Sequence, residues 1–184
     1  GITLETLSNE LKAFAISEED SIVEGIYHPN YPIAGIQWHL ERPHSNMDID
    51  HKIVNVGDCE FIGYGIISGP EYPQDKEDLK RLKPRLKKIK KEYEKEYKKI
   101  DNLFKKSSKP VIFLSHNVPF NTPIDIILGK NIRKGQHFGS LIVREMINKY
   151  QPLVSIAGHM HEHFGKCMIG KTVCINAGYG PKKN

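Results

Sequence analysis

Two short apolar runs constrain the fold of this chain most. VIFLSH (residues 111–116) and LVSIAGH (153–159) are too uniformly apolar to alternate between core and water, and each stops at polar residues. Short continuous runs of this kind read as buried strands. Between them, FGSLIVREMINKYQP (138–152) carries apolar residues at helical spacing and is stopped by Pro152. After the second strand, KCMIGKTVCIN (166–176) reads as a closing hairpin around Gly170-Lys171. Strand, helix, strand and hairpin in series define an α/β fold.

The flanking segments extend that pattern. KIVNVGDCEFIGYG (52–65) reads as a hairpin around Gly57-Asp58. Downstream, Leu79, Leu82, Leu86, Ile89, Tyr93, Tyr97, Ile100 and Phe104 recur at spacings of three or four. That spacing predicts one long amphipathic helix over 76–107, with Pro84 either kinking it or marking its start. At the N-terminus, LKAFAI (11–16), SIVEGIY (21–27) and IAGIQWH (33–39) read as strands, separated by the acidic turn SEED and the loop HPNYP.

Charge divides the chain where pattern does. Residues 1–46 carry two basic and seven acidic side chains, whereas 47–184 carry 25 basic and 15 acidic ones. The shift places a domain boundary at 46/47, between a short β-rich segment and a larger α/β domain. The chain opens on Gly1 rather than Met, as a processed or partial chain does. No apolar run approaches the roughly 18 residues of a membrane span, and no signal-peptide pattern opens the chain. Cys59, Cys167 and Cys174 form no C-x-x-C pair, which favours free thiols in a reducing, cytoplasmic setting. A two-residue turn at Gly170-Lys171 would nonetheless set Cys167 opposite Cys174.

The 15 basic residues between Lys76 and Lys109 invite a nucleic-acid reading. Glu92, Glu94, Glu96 and Asp101 are interleaved with them, however, and the opposite stripe is apolar. Mixed charge at helical spacing is the pattern of a solvated face laced with local pairs, so nucleic acid is the lesser alternative here.

Chemistry concentrates at the ends of the two buried strands. His116 follows the first, beside Asn117, and His159 and His161 follow the second within AGHMHEHFG. Ligands of open α/β sheets bind at the carboxyl ends of strands. Strand alternation would let His159 and His161 converge while Met160 points away, and Gly158 permits a sharp turn. His116, His159 and His161 are therefore candidate ligands for Zn, Fe or Mn. His163 continues the alternation into solvent. His137, at the predicted helix N-terminus, is a candidate for contacting phosphate or for capping that helix, and Asn117 is a second phosphate candidate.

The stretch from PVIFLSHNVPF through AGHMHEHFG to INAGYG resembles the C-terminal half of calcineurin-like metallophosphoesterases, over about residues 52–180. The resemblance implies a partial αββα sandwich and a centre that is dinuclear in the family. It also implies phosphomonoester or phosphodiester hydrolysis by metal-activated hydroxide. His116, His159 and His161 match the family's metal ligands. The D-x-H, G-D-x-x-D and G-N-H motifs of that family have no counterpart: DIDH (48–51) has the wrong spacing, and Phe61 stands where GDCEF would need its second Asp. The chain on its own would thus hold at most part of the metal centre, the remainder coming from a missing half-domain in trans.

Residues 1–46 are similar to something else. AISEEDSIVEGIYHPNYPIAGIQWHLERP resembles the C-terminal end of class I glutamine amidotransferases, on the gamma-glutamyl hydrolase branch. The resemblance places the base and its orienting carboxylate on His39 and Glu41, idle here because no cysteine has a nucleophile-elbow context. Two further readings follow: a thiol amidase fragment, and a non-catalytic module that binds metal or phosphate.

Overall fold

A computed structural model describes residues 3–16, 21–30, 34–36, 50–65, 69–73, 75–128, 133–161 and 163–178. The chain divides into two compact units, residues 1–39 and 40–184.

The N-terminal unit holds a three-stranded antiparallel sheet in the order β1 (Lys12–Ile16), β2 (Val23–Tyr27), β3 (Ala34–Ile36). Val23 is buried. The three strands fall within the segments expected from their apolar pattern.

The C-terminal unit is α/β. Its sheet has six strands in the order β4 (Ile53–Val56), β5 (Cys59–Tyr64), β6 (Val111–Ser115), β7 (Val154–Ala157), β9 (Thr172–Asn176), β8 (Gly165–Ile169). β5, β6, β7 and β9 run parallel, and β4 and β8 are the antiparallel edges. Both edge hairpins close through two residues whose first is a glycine at positive φ, Gly57 and Gly170. Such a turn matches the right-handed strand twist.

The predicted long helix is present but broken. α1 (Lys76–Leu82) starts at Asp75, whose carboxylate accepts the Asp78 N–H at 2.7 Å. A 3₁₀ turn over Lys83–Arg85 then interrupts it, and α2 (Leu86–Lys106) follows. Pro84 explains the break, since it has no N–H to donate and its ring crowds the preceding turn. Burial grows along the apolar stripe: Leu79 is exposed, Leu86 and Ile89 are half-buried, and Ile100 and Phe104 are in the core. Along the helix, Lys88–Glu92, Lys90–Glu94, Glu96–Lys99 and Asp101–Lys105 form pairs one turn apart.

α3 (Leu141–Tyr150) crosses from β6 to β7. It ends at Gln151, in the left-handed conformation just before Pro152. The core lies between these helices and one face of the sheet. Phe104 packs edge-on to Phe113 and stacks on Tyr150, with Ile62, Met146 and Ile147 fully buried around them. Beneath this core, Asp101 binds Lys149 at 2.6 Å and Tyr150 Oη at 2.7 Å, joining α2 to α3.

Among the described residues no helix is long and apolar enough to cross a membrane.

Candidate metal centre

The four parallel strands end together, at Tyr64, Ser115, Ala157 and Asn176. Just past that line the backbone ladder continues into the loops. His116 N–H donates to Tyr64 C=O at 3.0 Å, and the His116 carbonyl accepts from both Gly158 and His159 N–H. This shared carbonyl sets the two imidazoles side by side, with ring centroids 4.7 Å apart. His116 is buried and His159 half-buried, with the Phe138 ring stacked on the latter at 6.4 Å.

A fastener holds the histidine loop in place. The buried Asn176 amide donates to the carbonyls of Met160 and His163, at 2.7 Å each, and its oxygen accepts the Gly178 N–H. Gly178 itself passes so close to β7 that a Cβ there would lie 2.3 Å from the Gly158 carbonyl oxygen. No strand or motif spacing marks Asn176 as a site residue, although it lies within INAGYG, part of the family resemblance.

Strand alternation does not govern residues 159–161. β7 stops at Ala157, and His161 N–H turns back to the His159 carbonyl at 3.0 Å. Met160, expected only to point away from the two histidines, is buried in the core, through this turn rather than through a pleat. His161 is exposed, and His163, expected in solvent, is half-buried. Among the described residues no three His, Cys, Asp or Glu side chains are grouped so as to hold a metal ion. The structure thus brings two of the three candidate ligands, His116 and His159, into one place.

The two phosphate candidates are held by their own loops. Asn117 is buried, donating to Phe138 C=O and accepting Val118 N–H, both at 2.8 Å. His137 binds Asp125 through Nδ1 at 2.6 Å. The buried Asp125 also accepts the N–H groups of Asn121, Thr122 and Gly139, so it organises the whole 121–139 loop. The cap of α3 falls on Ser140, which accepts Val143 N–H, and not on His137. His137 lies too far upstream, because the helix begins only at Leu141. Glu71 completes that helix end by accepting the Leu141 N–H at 2.7 Å and a hydrogen bond from Ser140 Oγ. Burial pushes the Glu71 carboxyl above its ordinary range, against the pull of those bonds.

One further cluster lies at this end of the sheet. His51 is clamped between Asp50 and Glu96, at 2.8 Å to each, and Asp50 accepts the Gly65 N–H. Burial works against the imidazolium, but the two carboxylates outweigh it and raise its pKa. DIDH lacked the expected motif spacing, yet antiparallel β4 returns Asp50 and His51 to the edge where β5 ends. Nearby, Phe138 also borders a cavity of about 490 Å³ lined by Glu71, Tyr72, Arg81, Tyr93 and Arg133.

His39 and Glu41, the candidates from the amidotransferase resemblance, lie outside the described residues.

No protein-family model matches the chain. It is 24% identical over 146 residues to the uncharacterized protein MJ1162 of Methanocaldococcus jannaschii, a match over 75% of this chain and 59% of that relative. The chain therefore spans about three-fifths of the length of this curated relative. The crystal structure of TT1561 of Thermus thermophilus is 17% identical, with 71% of this chain and 49% of that one covered at a TM-score of 0.34. A second solved structure is 20% identical, covering 70% and 44%, at a TM-score of 0.46.

Proposed function

We propose that the C-terminal unit forms one side of a metal-dependent phosphoesterase centre that hydrolyses phosphomonoesters or phosphodiesters. The observation that carries this reading is the pair of imidazoles, His116 and His159, juxtaposed at the carboxyl ends of adjacent parallel strands. Two imidazoles suit Zn or Fe, and Mn would draw on added carboxylates. Their donor set fits part of a centre; His161 lies exposed on the neighbouring turn, outside the pair. When bound, the ion supplies Lewis-acid polarisation of the phosphoryl oxygen and lowers the pKa of a bound water.

The chain's own residues do the rest. Asn176 holds the loop that carries His159, and Phe138 walls that imidazole on one side. Asp125 occupies His137 Nδ1 and so leaves Nε2 as the ring nitrogen for a phosphate oxygen. A half-domain in trans would supply the carboxylates that a dinuclear centre needs.

The test is to load the purified chain separately with Mn, Fe and Zn, measure retained metal, and assay an activated aryl phosphodiester at high protein concentration. We expect retained metal and slow turnover. His159→Ala should reduce metal affinity more than about tenfold, the loss that even an outer-layer partner of a metal site causes. A wild-type chain that retains none of the three metals and gives no turnover sinks the proposal.

A further inference from the structure

The closing hairpin carries a feature that the proposed hydrolysis does not use. Cys167 on β8 and Cys174 on β9 are register partners, directly opposed across the antiparallel pair. Opposed residues in such a pair have Cα atoms about 4.5–5.5 Å apart, inside the range of about 4.4–6.8 Å that a disulfide spans. Both thiols are free and on the helix-covered face, and the Cys174 thiol donates to the Thr172 carbonyl at 3.9 Å. Cys167 is half-buried, whereas Cys174 is buried completely. We propose that Cys167 and Cys174 are a reversible disulfide site, closed by exchange with a small-molecule disulfide such as oxidised glutathione.

The asymmetry in burial sets the order of events. The Cys167 thiolate attacks one sulfur of the small disulfide, forming a mixed disulfide and releasing one thiolate. Cys174 then loses its proton and attacks the Cys167 sulfur, expelling the second thiolate. Two protein thiols are oxidised to one disulfide, and the small disulfide is reduced to two thiols. Burial pushes the Cys174 thiol up to about 12 and raises Cys167 as well, so the exchange is slow. Ser155 helps the second step. It is the β7 register partner of Cys174, and its buried hydroxyl has no hydrogen-bond partner among the described residues. It is thus available to donate to the thiolate as it forms. The bond would close the hairpin two residues before Asn176, the fastener of the histidine loop.

The test incubates the intact chain with oxidised glutathione and maps its peptides under non-reducing conditions. The expected product joins Cys167 to Cys174 and has lost two hydrogens, with Cys59 outside the link. Cys174→Ser should stop at a stable glutathione adduct on Cys167, and Cys59→Ser should still close the bond. A wild-type chain in which Cys59 is fully modified while Cys167 and Cys174 remain thiols overturns the proposal. So does a glutathione adduct on Cys167 that persists without closing.

Discussion

Both faces of the six-stranded sheet carry apolar rows, and the structure buries them unequally. One face presents Ile62, Phe113 and Cys174, all fully buried beneath α2 and α3. The other presents a register row of Phe61, Ile112, Val154, Val173 and Met168, and a second row of Leu114, Ile156 and Ile175. None of these eight is buried, and Met168 is 59% exposed. The winding explains the difference. β5 to β6 and β6 to β7 both step the same way across the sheet, and right-handed crossovers then place both connecting helices on one face. The remaining parallel strand, β9, is reached through the edge hairpin and brings no helix. Apolar pattern alone therefore marks a residue as strand-like; the direction of winding decides whether it is packed.

That comparison can be broken or sharpened by substitution. Phe113→Ala should have the largest effect, a loss of about 3–5 kcal/mol in urea denaturation, because it removes a ring packed against Phe104 from a site with no exposure. A loss under about 1 kcal/mol would mean that the helix-covered face is not the main core.

Asp101→Asn should follow, at about 1.5–3 kcal/mol, because a charged acceptor shared by Lys105, Lys149 and Tyr150 is lost. Its pH signature gives the sharper result. Burial pushes the Asp101 carboxyl up, but the bonds from those three residues outweigh it and hold it well below the usual carboxylate range. A depressed carboxylate contributes stability in full above its unfolded value of about 3.9, and loses it as pH falls. The substitution should therefore cost stability at neutral pH and flatten the acid limb of the stability profile. An unchanged acid limb would show that the link between α2 and α3 carries no such term.

Ile156→Ala should cost least, about 1 kcal/mol, since a half-exposed side chain gives up only part of its transfer energy. If it costs as much as Phe113→Ala, the second face is packed in solution and the contrast fails.

The site was legible in part, for reasons that trace to particular residues. His116 and His159 could be found because each follows an apolar strand that ends abruptly, and the ends of adjacent parallel strands lie together. Strand alternation groups His161 with them, a rule that lapses where β7 stops at Ala157. The spacing of Asp50 and His51 matches no metal motif, yet they reach the same end of the sheet through antiparallel pairing of β4. Asp125 had no local signal, since its partners, from Asn121 to Gly139, lie along a loop without regular periodicity.

By itself, the sequence determined the α/β class, the two edge hairpins, the break at Pro84 and the opposition of Cys167 to Cys174. All of these depend on neighbours within a few residues, through turn chemistry, helical spacing and the missing proline N–H. Only the tertiary structure decided which sheet face is packed, which histidines meet, and which carboxylates clamp His51 and His137. Those outcomes depend on crossover handedness, and on hydrogen bonds such as His51 to Glu96, 45 residues apart, that no local pattern encodes.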